Sequence, residues 1–344
     1  MSERKMSAAS LRAEKLPTGH EDWFCEFTTT PVKGLGYEEG VHRRDPSNIM
    51  EIDGLYYVWY TKSVGRWFKN AKVDIYAKRW PWDYAEIWYA TSLDGIVWEE
   101  RGLAVGRGGV GDDDERTVCT PDCMEFEGKY YLVYQTQRQE IYYTGNGEGV
   151  GMAIADSPNG PWVKMNGNIL ERMEEGNWFP DAKDNYNEGV FHGLVHDPTL
   201  MSYNGKFHLY YKCGSTNRHF PSRMAGWDTR WGVAIADSPT GPFNHSEYNP
   251  ITNSGHETML WPYDGGIAAL VNRDGPEKDT IQYAKDGINF EVMAVVDKTP
   301  WASGAFRSKT PDRSPLEGLR WGLCHHDEGS SLWNYIERFD ISTK

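Results

Sequence analysis

The stretch HDPTLMSYNGKFHLYY (196–211) places an acid and a proline before an apolar strand, an Asn-Gly turn and an aromatic strand. An Asn-Gly pair between two apolar runs is a strong signal for a β-hairpin with a tight turn. The same order recurs in DPSNIMEIDGLYYVWY (45–60) and TPDCMEFEGKYYLVYQ (120–135), and more weakly in HETMLWPYDGGIAAL (256–270). The recurrence predicts that several similar units each begin with a β-hairpin.

A second pattern follows each of these hairpins and consists of a small-residue strand, a turn and an aromatic residue. It occurs in ATSLDGIVW (90–98), AIADSPNGPW (153–162), AIADSPTGPF (234–243) and YAKDGINF (283–290). Each unit therefore holds about four strands, and a divergent fifth unit lies at 318–342. Five such units predict an all-β fold, a five-bladed β-propeller. A long β-sandwich is the alternative, but it does not explain why an acid recurs at the same place in each unit.

The composition is that of a protein rich in short strands. Trp 15, Tyr 20 and Phe 12 make up 14% of the chain, together with 36 glycines. Aromatic rings pack in sheets and also stack on sugars, and packing is the commoner use. The net charge of −14 argues against nucleic acid or an anionic membrane as a partner. No apolar run approaches the roughly 20 residues that a membrane-spanning helix needs.

The N-terminal segment differs from the repeats. SAASLRAEKL (7–16) contains good helix formers after a Ser that suits an N-cap. We therefore expect a helical arm at 1–20 and one propeller catalytic domain at 21–344. The N-terminus as given has no apolar signal core, so we expect a cytoplasmic protein, or a periplasmic one if the natural chain is longer. The five cysteines form no zinc-binding spacing, and we expect buried, reduced thiols.

Radial repetition brings the first-strand acids of the units together at the mouth of a central channel. These acids are spaced 77, 75 and 60 residues apart: Asp45, Asp122, Asp197 and Glu257. Glycoside hydrolysis needs one group that protonates the leaving oxygen and another that activates water. An Asp alone is often a turn cap. His42, His196 and His256, however, each lie within three residues of an acid, and a turn cap needs no imidazole.

The pair His256-Glu257 raises the question of which residue is the proton donor. On an extended strand, neighbouring side chains face opposite sides, so only one of them could point at the scissile bond. Histidine serves as a general acid when a carboxylate keeps it protonated near neutral pH. A hydrogen-bonded structural histidine is the alternative for His256.

These motifs resemble the five-bladed propeller glycosidases of the arabinofuranosidase and xylosidase type. More specifically, the chain resembles glycoside hydrolase family 117, which contains the α-1,3-(3,6-anhydro)-L-galactosidases, or neoagarobiose hydrolases. The resemblance rests on RRDPSNIM (43–50), HDP (196–198) and the His-Glu pair at 256–257. It also rests on the N-terminal pattern S-x-A-x-x-R, which Ser7, Ala9 and Arg12 match.

The resemblance implies roles for particular residues. Asp45 would be the general base and His256 the general acid, while Asp197 and Glu257 would support or tune the acid. Glu257 remains the rival for the acid role, because it is the acid in other propeller glycosidases. The implied sugar-contacting residues are Thr120, Asp122, Gln135, Trp80 and His196. His325 is a further candidate, since the last blade could turn it toward the channel.

The resemblance also implies the reaction. The enzyme would act on the non-reducing end of neoagaro-oligosaccharides from agar and release 3,6-anhydro-L-galactose with inversion. The chemistry requires no cofactor. A divalent cation near the channel is possible, but no ligand spacing identifies a metal. The arm with Ser7, Ala9 and Arg12 would be exchanged between the two subunits of a homodimer.

Three other functions stay open at the level of sequence. An α-L-arabinofuranosidase would use the same three acids. A mannoside phosphorylase would need a basic cluster for phosphate, which Arg43, Arg44 and Arg307 could supply. A propeller with an aromatic channel could also bind a glycan without cleaving it.

Overall fold

A computed structural model describes residues 7–11, 21–68, 76–139, 148–171, 195–213, 229–302, 304–308, 314–326 and 332–343. The described chain forms five antiparallel sheets of four or five strands, and each sheet corresponds to one predicted repeat. The all-β, five-bladed β-propeller predicted from the repeats is confirmed.

The strands follow one another blade by blade. Strand β1 (Glu26–Pro31) precedes the first complete blade. That blade contains β2 (Val41–Arg44), β3 (Met50–Ile52), β4 (Leu55–Val64), β5 (Glu86–Ser92) and β6 (Trp98–Val105). The second contains β7 (Thr117–Phe126), β8 (Lys129–Gln137), β9 (Glu148–Ala155), β10 (Val163–Lys164) and β11 (Leu170–Glu171). The third contains β12 (His196–Tyr203), β13 (Lys206–Cys213), β14 (Arg230–Ala236) and β15 (Asn244–His245).

The last two blades complete the ring. The fourth contains β16 (Leu260–Tyr263), β17 (Gly266–Val271), β18 (Thr280–Ala284) and β19 (Glu291–Val295). The fifth contains β20 (Gly304–Ala305), β21 (Trp321–His326) and β22 (Tyr335–Ser342). Strand β1 pairs with β22, from Glu26 opposite Ser342 to Pro31 opposite Glu337. A strand from near the N-terminus therefore completes the last blade and closes the ring.

The predicted hairpin turns lie at equivalent places in four blades. In each turn the glycine and the residue before it both have positive φ, with 53° at Asp53 and 78° at Gly54 as one example. The other three turns lie at 127–128, 204–205 and 264–265. Two successive positive φ values are the mark of a type I′ turn, which matches the twist of the strands that it joins. In these four blades, the turn joins the innermost strand to the next strand of the sheet.

The hydrophobic core consists of five clusters, one between each pair of neighbouring blades. The cluster between the first and second blades contains Trp59 and Tyr134, and the one between the third and fourth contains Trp231 and Phe290. The other three clusters join the second blade to the third, the fourth to the fifth, and the fifth to the first. Many of the abundant aromatic residues therefore pack between blades, as the composition suggested.

The helices are short. Those of the described residues are α1 (Ala8–Leu11) and the 3-10 helices Glu21–Trp23 and Glu317–Leu319. Within the described ranges, no helix has the length and apolar character needed to cross a membrane. All five cysteines are buried, as expected.

Candidate active site

Five residues, one from each blade, occupy equivalent positions around a cleft of about 320 Å³ at the axis: Asp45, Thr120, Asp197, Glu257 and Ala302. Each position lies just before the innermost strand segment of its blade or at its beginning. Four of the five residues have a positive φ between 40° and 49°, and Glu257 is the exception. The acids at the axis therefore belong to the first, third and fourth blades.

Our alignment of Asp122 with these acids was wrong by two residues. Thr120 has the same φ of 47° as Asp45 and, like Asp45 and Asp197, precedes a proline. Asp122 lies two positions further along and lines the same cleft. Its buried carboxylate accepts hydrogen bonds from Asn48 Nδ2 at 2.7 Å and from the Leu200 amide at 3.2 Å. Asp122 therefore ties the second blade to the first and third near the axis.

Positive φ at a residue other than glycine costs of order 1–3 kcal/mol and clusters at functional sites. Asp accepts this conformation more readily than most residues. The repeated Asp-Pro pair at Asp45 and Asp197 therefore carries backbone strain at the position that turns each acid toward the axis.

Asp45 is buried among groups that favour its charged form. The guanidinium Nη2 of Arg44 lies 3.4 Å from Asp45 Oδ1, and Nδ1 of His325 lies 3.2 Å from the same oxygen. Burial works against ionisation, but Arg44, His325 and Thr61 together hold the pKa of Asp45 well below its usual range. Burial and the charge on Arg44 lower the pKa of His325. Asp45 is therefore a carboxylate at neutral pH, and its His325 neighbour is a neutral imidazole.

Glu257 and Asp197 share a buried cation. Lys212 Nζ lies 2.5 Å from Asp197 Oδ2, and both side chains are less than one-tenth exposed. Burial raises the pKa of Glu257, but His256, Lys212 and Arg273 outweigh it and lower the pKa to about 2. Conversely, burial lowers the pKa of Lys212, whereas Asp197 and Glu257 raise it above its ordinary value. These charges therefore favour the carboxylate form of Glu257.

His256 is held between two carboxylates. Its Nδ1 lies 2.5 Å from Asp274 Oδ2, and its Nε2 lies 3.6 Å from Glu257 Oε1. Asp274 is almost fully buried and also accepts a hydrogen bond from Thr229 Oγ1 at 2.9 Å. The condition of an extended strand at His256-Glu257 is not met, because both residues lie in a bend before β16 and contact each other. Asp274 fixes the imidazole ring through Nδ1, so that Nε2 is directed toward Glu257.

The residues expected to contact sugar lie in different surroundings. Thr120 lines the cleft, and its hydroxyl donates to Gln135 Oε1 at 3.4 Å. His196 Nε2 lies 2.5 Å from Glu148 Oε2, with both side chains slightly exposed. Trp80 stacks in parallel with Trp82 at 5.1 Å between ring centroids. His325 is buried beside Asp45. Direct contact of these residues with a sugar stays a prediction.

The N-terminal arm packs against the fourth blade of the same chain. Ser7 Oγ donates to the Pro250 carbonyl at 2.6 Å, and the Ala8 amide donates to Asn289 Oδ1 at 3.0 Å. Ser7 and Ala9 are fully buried, and Asn253 Nδ2 donates to the Ala9 carbonyl. Arg12 and the rest of the predicted helix lie outside the described residues.

Sequence reasoning missed two residues of the site, Lys212 and Asp274. Lys212 lies in the aromatic strand β13, where a lysine usually reads as a solvent-facing position. Asp274 lies in NRDGPE (272–277), which reads as a loop. No spacing along the chain links either residue to an acid at the axis.

Of the three arginines considered for phosphate, two contact acids that line the cleft and Arg43 does not. Arg43 pairs with Glu38 at 2.7 Å and Glu100 at 3.1 Å within the first blade. Arg307 contacts Asp122 at 3.4 Å, and only Arg44 adjoins an axial acid. Nor do three or more His, Cys, Asp or Glu side chains of the described chain come together in a way that could hold a metal ion.

The fold and its carboxylate-lined axial cleft are those of a five-bladed β-propeller glycoside hydrolase. One solved structure, Zg3597, a family 117 glycoside hydrolase from the marine bacterium Zobellia galactanivorans, shares 34% sequence identity and a TM-score of 0.78. The match covers 94% of this chain and 92% of that chain. The chain therefore belongs to glycoside hydrolase family 117.

More distant structures share the fold alone. The GH43_1 enzyme from Xanthomonas citri complexed with xylotriose is 14% identical over 90% of this chain and 89% of that chain, with a TM-score of 0.56. CoXyl43, a GH43 β-xylosidase/α-arabinofuranosidase from a compost microbial metagenome, is 16% identical over 96% of this chain and 98% of that chain, with a TM-score of 0.55. No protein-family model and no curated protein matches the chain.

Proposed function

We propose that this glycoside hydrolase is an exo-acting α-1,3-(3,6-anhydro)-L-galactosidase that inverts the anomeric centre. The observation that carries the proposal is the axial cleft lined by Asp45 and Glu257, together with the Asp274-held His256 that contacts Glu257 from a different blade than Asp45. A base and a proton donor on separate elements suit a single displacement, in which water enters on one face of the sugar and the leaving oxygen departs from the other.

Asp45 serves as the base in this mechanism. The water oxygen bonds to the anomeric carbon while Asp45 accepts one of the water protons. Arg44 and His325 keep the carboxylate free of a proton at neutral pH, so it is ready to accept one. A general base of this kind typically contributes a rate factor of about 10²–10⁴.

His256 serves as the acid. As the bond between the anomeric carbon and the glycosidic oxygen breaks, the Nε2 proton passes to that oxygen. Asp274 stabilises the imidazolium before transfer and orients the ring, as a carboxylate behind a catalytic histidine does. Glu257 is the less suited donor in this proposal, because the charges of His256, Lys212 and Arg273 lower its pKa and favour its carboxylate form. Glu257 and Asp197 instead supply negative charge near the developing oxocarbenium ion.

The substrate assignment rests on membership of family 117 together with the motifs at 43–50, 196–198 and 256–257. The cleft lies at one place on the axis and is lined by acids of several blades, an arrangement that suits a terminal sugar rather than a chain interior. We therefore propose neoagaro-oligosaccharides as substrates and the non-reducing terminal 3,6-anhydro-L-galactose as the product. The proposal includes a homodimer that exchanges the arm carrying Ser7 and Ala9.

The proposal is tested by incubating the full chain with neoagarobiose and, separately, with an aryl α-L-arabinofuranoside. We expect 3,6-anhydro-L-galactose and galactose from the first substrate at a rate unaffected by added phosphate. Arabinose release without cleavage of neoagarobiose would assign the alternative arabinofuranosidase function. Phosphate-dependent release of a sugar phosphate would assign a phosphorylase, and binding without any product would assign a glycan-binding protein.

A further inference from the structure

A row of tryptophans leads to the charged group beside Asp45. Trp67 and Trp80 stack with 6.4 Å between ring centroids and an interplanar angle of 17°, and Trp80 and Trp82 stack at 5.1 Å and 6°. The guanidinium carbon of Arg44 lies 5.2 Å from the centroid of the Trp82 ring. Arg44 in turn contacts Asp45. The row therefore ends on the cation that adjoins the proposed base.

The loop that carries Trp80 and Trp82 is anchored by a fully buried ion pair. Asp83 and Arg116 pair at 2.9 Å, and both side chains are completely excluded from solvent. Asp83 Oδ2 also accepts the backbone amides of Arg79 at 2.7 Å and Trp80 at 3.1 Å. The Trp82 carbonyl accepts a hydrogen bond from Thr117 Oγ1 at 2.7 Å. Trp82 is thus fixed to the second blade, while Arg44 belongs to the first.

Among the described residues, two other polar contacts hold the guanidinium of Arg44. Its Nη1 donates to Asn334 Oδ1 at 3.0 Å, and its Nη2 lies 3.4 Å from Asp45. An arginine side chain has several rotatable bonds, and a planar aromatic surface restricts its guanidinium through cation–π attraction. Without Trp82, the guanidinium would have one hydrogen bond and one long ion pair to hold it.

We propose that Trp82 is a positioning residue for Asp45, acting through Arg44, which it holds against the carboxylate. The catalytic meaning of this role rests on the proposed function, in which Asp45 is the base. The indole ring does not need to touch the reacting atoms. The ring fixes the guanidinium of Arg44, whose positive charge favours the ionised form of Asp45, the proposed base.

Asp45 also faces groups other than Arg44, and these limit how far a substitution of Trp82 can shift the pKa of Asp45. His325 faces it from β21, Thr61 from β4 and Cys119 from β7. Burial favours the protonated form of Asp45, while Arg44 and His325 favour the carboxylate. Of the groups named here, Arg44 carries the permanent positive charge, so its position has the largest leverage on the pKa of Asp45.

The experiment measures Arg44 and Asp45 directly by NMR, without any substrate. Side-chain order of Arg44 is read from its Nε–H signal, and the charge on Asp45 from ¹³C-carboxyl-labelled aspartate, with Arg44→Met and Asp45→Asn for assignment. In Trp82→Ala we expect a clear loss of Arg44 order and a rise in the pKa of Asp45 of roughly half a unit or more, since an opposite charge within 4–6 Å shifts a carboxylate by about 1–3 units. Trp82→Phe, which keeps an aromatic face, should resemble the wild type.

Trp88 provides a matched control. Lys62 Nζ lies 3.6 Å from the centroid of its ring, in the same blade, but Lys62 pairs with Glu100 and not with Asp45. Trp88→Ala should leave the order of Arg44 and the pKa of Asp45 unchanged. Wild-type order of Arg44 in a folded Trp82→Ala protein would overturn the proposal, as would equal effects of Trp82→Ala and Trp88→Ala. Neither result would bear on the proposed function, which fails separately if Asp45→Asn keeps full activity.

Discussion

At the scale of single residues, the buried charges of Asp197 and Glu257 are compensated by one buried lysine, Lys212. Lys212 lies between carboxylates of two neighbouring blades and pairs with Asp197 at 2.5 Å. Its charge also lowers the pKa of Glu257. Removing one partner of a buried ion pair leaves the other charge uncompensated, which typically costs about 3–5 kcal/mol.

Lys212→Met should therefore lower the free energy of unfolding by about 3–5 kcal/mol. Lys206→Met is a matched control on the same strand, because Lys206 pairs with Asp237 at a site where both side chains are more than half exposed. That control should change the stability by no more than about 1 kcal/mol. Denaturant unfolding at pH 7 measures both. Equal stabilities of the two variants would show that Lys212 does not compensate the buried carboxylates.

How far the site could be predicted differs from residue to residue. Asp45, Asp197 and Glu257 could be predicted because each lies at the start of a repeat. An acid recurs at this position even where the rest of the repeats differ in sequence. Asp122 was placed in the wrong register because only its acidity was compared. The proline after Thr120 gave the better signal, since Pro46 and Pro198 follow the axial acids in the same way. Lys212 and Asp274 carry no such mark, because only the folded chain brings Lys212 beside Asp197 and Asp274 beside His256.

At the scale of elements, the hairpins are where the sequence is most informative. Each inner hairpin has a type I′ turn whose glycine can adopt positive φ without strain, as at Gly54 and Gly205. These turns fix the register of the strands and so decide which side chains face the neighbouring blade. The closing pair β1–β22 carries a weaker signal in the sequence, because the two strands lie near opposite ends of the chain and share no turn.

Strand β13 carries a titrating group in its buried face. His208 is 5% exposed and packs against Tyr203 at 5.3 Å and Tyr210 at 6.1 Å between ring centroids. Burial lowers the pKa of His208 to about 4. Above about pH 6.5, the ring is neutral in both the folded and the unfolded chain, so it adds no pH dependence there. Between about pH 6.5 and 4, the unfolded chain binds a proton that the folded chain does not, and stability falls as the pH falls.

His208→Phe should remove this part of the pH dependence. Between pH 7 and pH 4.5, the wild type should lose about 2–3 kcal/mol more unfolding free energy than the variant. His42, whose pKa burial also lowers to about 4, remains in both proteins and contributes equally to each. Denaturant unfolding at the two pH values gives the comparison. An identical pH dependence in the two proteins would mean that folding does not lower the pKa of His208.

At the scale of the whole molecule, the propeller turns a repeated sequence pattern into a ring of chemically different positions. The five axial positions hold an acid in the first, third and fourth blades, but a threonine in the second and an alanine in the fifth. Because equivalent positions carry different side chains and neighbours, Asp45 is paired with Arg44, whereas Asp197 is paired with Lys212. The proposed base, Asp45, thereby has a different environment from the carboxylates near the proposed proton donor, His256, and acid–base catalysis requires such a difference.

Our central claim is that Asp45, brought to the axis by the first blade, activates water in the reaction. The most direct measurement is the turnover of neoagarobiose by Asp45→Asn, with ligand binding followed by calorimetry on the same protein. We expect binding within a few-fold of the wild type and a loss of turnover of at least about a hundredfold, the lower end of general-base effects. Turnover equal to that of the wild type in a variant that still binds the disaccharide would contradict the claim.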